Sequence, residues 1–499
     1  MLPVLLTFLL SISPGTPAVD DRNTIAGALA ALERGETVTV AGEPICSSRP
    51  LVLFYQRRNN DPAWQPADRE ALLRAIHAAA NEGLDPRDYH LGPLETRSLA
   101  APDLDLLATD AFFLLGSHLL SGRVDPVSIE PTWCLAPRTN DLVGGLETAL
   151  ETHDVEATLA RMAPSHHGYV ALRGALAAMR QMDATGGWQR VDPGKPLRIN
   201  ERDPRVVQLI ARLVASGEIA QGHTDFDVAV DAAVRRFQRL HGLADDGVVG
   251  PRTIAELNVP ASDRVRQLEL NLERWRWLPA TLGDPYAVIN IPAFSLTLYE
   301  HGRSILSARV VVGKDYLRTP IVSSKITEVV LSPYWNVPES IARKELWPKE
   351  RRQRGYLRRE HIEVLSNGRL RQTPGPWNSL GLIKFNLPNP YDVYLHDTPA
   401  KDLFGASVRA FSHGCMRVEN APDLAAWLLR DRPEWPRERI VAESERGVQQ
   451  IIAVRAPVAI HVLYWTAFID DAGELHFAPD IYDRDGPLDA AMRARPSSR

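Results

Sequence analysis

The residues best suited to chemistry lie close together late in the chain. They are Ser412-His413-Gly414-Cys415-Met416-Arg417-Val418, with His396 nineteen residues before Cys415. A cysteine attacks through its thiolate, and a neighbouring imidazole both removes the proton and stabilises the resulting ion pair. Gly414 has no Cβ, so the backbone can turn sharply there and bring N–H groups near a developing oxyanion. Asn420, with Asp423 three residues on, has the form of a helix start, and Leu424, Trp427 and Leu428 would be that helix's buried face. The helix begins too far past Cys415 to lower the thiol pKa by itself. A base is therefore required, and His396 is the candidate.

Other chemistries fit these residues less well. A zinc site from His396, His413 and Cys415 would lack a fourth ligand, and His413 and Cys415, two apart, chelate awkwardly. No metal and no cofactor is expected. A papain-like protease would carry its cysteine early, with His and Asn downstream, the reverse of the order here. A packing cysteine is the common fate of a lone thiol, but Ser-His-Gly is polar, turn-forming company.

The elements that must hold these groups are strands. Tyr286–Ile291, Ser295–Tyr299, Ser304–Val312 and Ile326–Leu331 are rich in β-branched and aromatic residues, with His301-Gly302 as a hairpin turn. Short strands at Gly381–Asn386 and Val393–His396 follow, the second delivering His396. Together they predict a β-rich sandwich or barrel over 284–470. An insertion, 338–377, interrupts it. Between Glu339 and Arg371 stand ten Lys/Arg against five Glu. The segment is either a solvated helical insertion or a basic lid favouring an anionic substrate.

Upstream, residues 19–190 read as a helical domain. Leu72, Leu73, Ile76 and Ala80 share a face that ends at Gly83, and Leu104, Leu107, Ala111, Leu114 and His118 share another. His118 reads as a core histidine and His166-His167 as loop residues. Gly186-Gly187 and Asp192-Pro193-Gly194-Lys195-Pro196 mark a linker. A compact helical unit, 197–259, comes next. Asp203-Pro204 opens a helix with Val206, Ile210 and Leu213 inward, and Val230, Val234, Phe237 and Leu240 repeat at helical spacing.

Several of these segments resemble a known family. Ser412-His413-Gly414-Cys415 with Arg417, and Tyr394-Leu395-His396-Asp397-Thr398 upstream, are similar to the catalytic motifs of the YkuD-type L,D-transpeptidases. Phe237-Gln238-Arg239-Leu240-His241-Gly242-Leu243 and Asp246 to Thr253 resemble three-helix peptidoglycan-binding modules, whose glycines turn the chain between the last two helices. A generic three-helix spacer is the alternative. Asn271 to Trp277, Tyr334-Trp335-Asn336-Val337-Pro338 and Phe477 to Asp483 resemble flanking segments of the large multi-domain subfamily.

The resemblance implies a multi-domain α+β protein: helical N-terminal region, peptidoglycan-binding-like module, β-rich catalytic domain with insertion, and a tail at 471–499. It implies Cys415 as nucleophile and His396 as base, with Ser412, His413, Gly414 and Arg417 shaping the site for substrate or oxyanion. The partners would be peptidoglycan stem peptides. Cys415 would release D-Ala from a tetrapeptide, and a second stem's amine would resolve the thioester into a 3→3 cross-link. Resolution by water would make the protein an L,D-carboxypeptidase. A non-catalytic wall-binding scaffold is the third reading.

Composition agrees with a globular, exported chain. The 499 residues exceed one core and suggest two to four domains. A net charge of −5 gives no sign of nucleic-acid binding. Met1–Leu10 is apolar and Thr16-Pro17-Ala18 fits a cleavage site, so 1–18 is expected to be a signal peptide leading to the periplasm. No later run of about 20 apolar residues suggests a stable membrane span. In an oxidising compartment, three cysteines suggest a Cys46–Cys134 disulfide with Cys415 left as a thiol.

Overall fold

The computed structural model describes residues 21–96 and 99–495. The expected signal peptide lies outside the described residues. The N-terminal domain is built around helix Ala101–Ser121, whose two apolar faces are covered by Asp21–Glu33, Ser48–Arg57, Leu142–Glu151 and Val155–Ala160. Among the described residues this helix alone is long and apolar enough to cross a membrane, yet most of it is buried inside the domain. Two buried aspartates give it a soluble-core logic. Asp105 accepts from the Tyr55 hydroxyl at 2.7 Å and the Trp64 N–H at 2.9 Å. Asp110 accepts from the Cys46 and Ser47 N–H groups at 3.0 and 2.6 Å and pairs with His90 at 2.7 Å. Buried carboxylates are stable only with such partners. His118 is a core histidine bonded to the Tyr89 hydroxyl at 3.0 Å. His166 immediately precedes helix His167–Ala184 and lies against Trp275, with His167 opening the helix rather than sitting in a loop.

The Cys46–Cys134 bond is not made. Cys46 is buried beside Asp110, and its own burial, then the Asp110 charge, pushes its thiol up to about 11, while Cys134 is exposed in the connection after Trp133.

The module comprises helices Arg205–Ala215, Val228–Leu240 and Pro251–Leu257 around Val206, Leu209, Val230, Val234 and Phe237. Gly242 and Gly247 take positive φ, and the Gln238 side chain pins the loop between the last two helices through Gly247 N–H and Val248 O.

The large sheet has nine strands: β1 (Tyr286–Asn290), β2 (Ser295–Glu300), β3 (Arg303–Gly313), β4 (Val322–Leu331), β5 (Ile383–Asn386), β6 (Leu395–His396), β7 (Ala410–Ser412), β8 (Met416–Val418) and β9 (Gln450–Leu463). Their order is β7-β3-β8-β6-β5-β4-β9-β1-β2, and β2 also pairs with β3, so the sheet closes on itself. Closure removes the exposed edges that an open sheet would leave. Inward residues such as Ile289, Leu296, Val310, Val329, Phe385, Leu395, Met416 and Ile460 form the core, with helix Ala421–Leu428 contributing Leu424 and Leu428. Trp427, expected on that face, is half-buried under Arg430. The long β9 carries Pro457 at a register shift against β4, because proline has no N–H for the ladder.

The insertion is not purely helical. Trp335–Asn336, Leu370–Gln372 and Ile362–Val364 make a three-stranded antiparallel sheet, beside short helical turns spanning Glu339–Arg359. It has its own small core of Val337, Leu346, Leu357, Ile362 and Leu370.

Helix Ala261–Arg276 ties the parts together. Glu273 and Arg276 are fully buried and bond to each other at 2.6 Å. Glu273 also accepts from Val124 N–H at 2.7 Å and Trp277 Nε1 at 3.2 Å, and Arg276 donates to Glu82 O at 2.7 Å. Trp275 stacks on Trp465 with centroids 4.4 Å apart. The tail helix Asp485–Arg493 packs Leu488 and Met492 against Trp277 and Val124, and Arg123 donates to Ala491 O at 3.0 Å.

Candidate active site

Strand register explains how the chemical residues come together. β6 lies parallel to β8 with His396 opposite Arg417, and antiparallel to β5 with Lys384 opposite His396. Directly opposed residues share a sheet face, so Lys384, His396 and Arg417 form a row across three strands. Tyr394, two residues before His396, belongs to the same face. Cys415 stands at the mouth of β8, on the turn leading from β7.

That turn is held from within. The Ser412 hydroxyl donates to Cys415 O at 2.5 Å, and Gly414 N–H donates to Ser412 Oγ at 3.1 Å. Gly414 has φ +112, a conformation that L side chains rarely adopt, while a Cβ there would meet nothing closer than Arg318 O at 3.6 Å. The need for glycine is thus conformational rather than steric. From outside, Thr319 Oγ1 donates to Gly414 O at 2.9 Å. The tail reaches the same loop, since the Tyr482 hydroxyl donates to Gly313 O at 2.6 Å and accepts from Thr319 N–H at 3.2 Å.

The thiol itself faces Asp392 O at 4.0 Å, and Tyr394, Lys384 and Arg417 are near enough to act on it. The Lys384 ammonium sits 4.1 Å from the Tyr394 ring centroid. Burial raises the Cys415 thiol above its ordinary range, and Tyr394 and Lys384 oppose that rise. Burial, then the Arg417 charge, pushes His396 down to about 3. Its Nδ1–H donates to Asp397 O at 2.5 Å, leaving Nε2 as the basic nitrogen. At neutral pH both groups are therefore uncharged at rest.

Cys415 opens onto two cavities. One, of about 260 Å³, lies beneath the insertion and is shared with His396, Tyr394, Ser412 and Arg417. The other, of about 860 Å³, is lined by Lys384, Arg369, Glu328, Asp392 and Tyr394. His413 turns away from the sulfur toward the insertion, where Nε2 meets Glu345 Oε1 at 2.6 Å. All six residues singled out by sequence thus fall in one place: Cys415, His396, Ser412 and Arg417 share a cavity, Gly414 forms the turn, and His413 contacts the insertion. Sequence reasoning missed Tyr394, Lys384 and Glu345. A lone cation in an apolar strand, and a tyrosine at the two-residue period of His396, were signals for the first two. Glu345 gave none. A separate group of potential metal ligands, Asp470, Glu474 and His476, lies in the ribbon after β9, where Glu474 is paired with Arg236.

Comparison with known proteins agrees with this layout. Family models match residues 49–176 as a scaffold domain, 202–257 as a provisionally named peptidoglycan binding domain and 284–458 as an L,D-transpeptidase catalytic domain, YkuD. A Haemophilus influenzae protein provisionally named an L,D-transpeptidase is 33% identical over 252 residues, covering 46% of this chain. The chain spans 50% of that relative's length. Solved L,D-transpeptidases of Xylanimonas cellulosilytica and Stackebrandtia nassauensis are 16% and 12% identical. They cover 55% and 54% of this chain, and 99% and 97% of their own. Their TM-scores of 0.18 and 0.21 are too low to carry an argument. The YkuD match falls on the sheet that presents Cys415, and the chain carries an L,D-transpeptidase catalytic domain of the YkuD family together with a peptidoglycan-binding-type domain.

Proposed function

We propose that the protein is an L,D-transpeptidase that forms 3→3 cross-links between peptidoglycan stem peptides through a Cys415 thioester. The observation that supports this best is the thiol on the Gly414 turn, sharing a cavity with Tyr394 and neutral His396. The thiolate attacks the carbonyl of the third stem residue, and the C–N bond to D-Ala breaks with its amine protonated through His396. The amine of a second stem then attacks the thioester. A new C–N bond forms as C–S breaks, and the amine's proton returns to sulfur by way of His396. Ser412 and Gly414 hold the turn, while Arg417 and Lys384 favour negative charge at sulfur and oxygen. The basic insertion contributes Arg369 to the larger cavity and Lys349 to the smaller, which suits stem peptides bearing carboxylates.

The domain plan follows the same reading: a leader at 1–18, a helical scaffold domain at 19–190, a wall-binding module at 197–259, a catalytic domain at 284–470 and a tail at 471–499. Its place would be the periplasm, against the wall.

Mass analysis of purified protein incubated with disaccharide-tetrapeptides tests this. Loss of D-Ala with dimers, both abolished in Cys415→Ala, is the expected result. Tripeptide without dimers would make the site an L,D-carboxypeptidase. Wild-type protein that binds tetrapeptide without ever forming an acyl-enzyme would leave only a scaffold.

A further inference from the structure

The tail segment Phe477 to Asp483 stands out in the sequence, and the chemistry above gives it no role. Its Tyr482 is fully buried, with the ring stacked on Tyr464 at 5.8 Å. Asp480 fixes that corner, accepting from the Tyr464 hydroxyl at 2.5 Å and from the N–H groups of Arg484 and Asp485 at 2.9 and 2.8 Å. The Tyr482 hydroxyl is thereby delivered to the end of β3, where it donates to Gly313 O and accepts from Thr319 N–H. The Thr319 hydroxyl accepts from Gly313 N–H at 2.9 Å and donates to Gly414 O at 2.9 Å. Thr319 is fully buried too, and a Cβ on Gly313 would fall 2.1 Å from Leu317 O, so the 313–319 loop is closed tightly on itself.

The peptide planes of the catalytic turn are pinned one by one. That between His413 and Gly414 is held by Gly414 N–H on Ser412 Oγ. That between Cys415 and Met416 is held by the Ser412 hydroxyl on Cys415 O and by Met416 N–H on Tyr394 O at 3.1 Å. The plane between Gly414 and Cys415 is held, among the described residues, by the Thr319 hydroxyl alone. A trans peptide is flat, with its C=O and N–H pointing opposite ways, so fixing Gly414 O also fixes the direction of Cys415 N–H. That N–H donates to no group among the described residues. It belongs to the residue whose sulfur attacks, and so lies close to the carbonyl oxygen that gains charge.

We propose that Thr319 and Tyr482 are positioning residues for acyl transfer, which through Gly414 O aim the Cys415 N–H at the developing oxyanion. The inference rests on the acyl-transfer reading above and gives the tail a part in it. As sulfur bonds to the carbonyl carbon, the C=O π electrons move onto oxygen, and they return as the C–N bond to D-Ala breaks. A donor held in place beforehand stabilises that charge without reorganising at the moment of reaction.

The test compares two reactions of Cys415 in the full-length protein, each followed by the mass of the peptide that carries it. One is acylation, by disaccharide-tetrapeptide and by p-nitrophenyl acetate, which builds an oxyanion. The other is alkylation by iodoacetamide, which displaces iodide at a saturated carbon and builds none. Thr319→Val and Tyr482→Phe are expected to acylate about tenfold or more slowly with either acyl donor, while alkylation stays within about twofold of wild type. Thr319→Ser keeps the hydroxyl and is expected to retain the wild-type acylation rate. Unchanged acylation in Thr319→Val, or acylation and alkylation slowed alike, would overturn the proposal. Wild-type protein acylated by the ester but not by tetrapeptide would overturn the transpeptidase reading, and the ester rates of the variants would then decide the positioning role alone.

Discussion

A half-buried, protonated thiol sharing a cavity with a buried, uncharged imidazole is a resting state of low general reactivity. Thiolate is scarce because burial disfavours charge at sulfur, and His396 near 3 is too weakly basic to hold the proton before attack begins. Iodoacetamide labelling of Cys415 should therefore keep accelerating above the ordinary cysteine range, with no plateau below about pH 9. Lys384 partly offsets the burial, so Lys384→Met should move that profile further up by about one unit while Lys384→Arg holds it near wild type. A profile unmoved by Lys384→Met would remove the lysine from the site's electrostatics. At this scale the structure gathers the residues the sequence set apart: Cys415, His396, Ser412 and Arg417 line one cavity, and Gly414 forms the turn. Lys384 and Tyr394 were harder to see because their roles depend on which strands are neighbours, and β5, β6 and β8 become adjacent only in the closed sheet.

The insertion shows how an element can be visible while its contacts are not. Its charge stood out in the sequence, but the three short strands that anchor it are each only two or three residues long and carry almost no periodic signal. It touches the motif through Glu345 and His413, on a helical turn that hydrogen-bonds in the wide π pattern, a distortion frequent at functional sites. Both partners are partly exposed, so the pair contributes at most about 1 kcal/mol. Glu345→Ala should leave the melting temperature within about 2 °C of wild type. It should also raise the rate of tryptic cleavage at Arg351–Arg359 by roughly threefold to fivefold, read on a gel time course. Equal cleavage rates would mean that the insertion is held by its own core and its strands alone. β9 was missed for a related reason: Arg455 and Pro457 break its alternation, and the bulge that accommodates them exists only against β4.

Across the whole molecule, the domains that family models separate are fused by buried polar contacts. Glu273 and Arg276 carry opposite charges with no exposure, and each is satisfied by groups from the N-terminal domain. Removing one partner leaves a buried charge unpaired, so Glu273→Gln should cost about 3–5 kcal/mol. Urea denaturation followed by tryptophan fluorescence, which reports Trp275 and Trp277, will measure it, and a loss below about 1 kcal/mol would show that the domains are stable apart. Nothing in Asn271-Leu272-Glu273-Arg274-Trp275-Arg276 announced this from sequence, because a charged helix reads as a solvated one until its neighbours are known. The link from Tyr482 through Thr319 to Gly414 has a further consequence, one of timing. The turn that presents Cys415 is braced by a residue nearly seventy positions downstream, and Arg123 of the N-terminal domain reaches the tail helix at Ala491 O. A chain still emerging, or cut short by a protease, holds the thiol but not its brace. The Cys415 turn is thus fully braced only once Tyr482 is in place, late in synthesis.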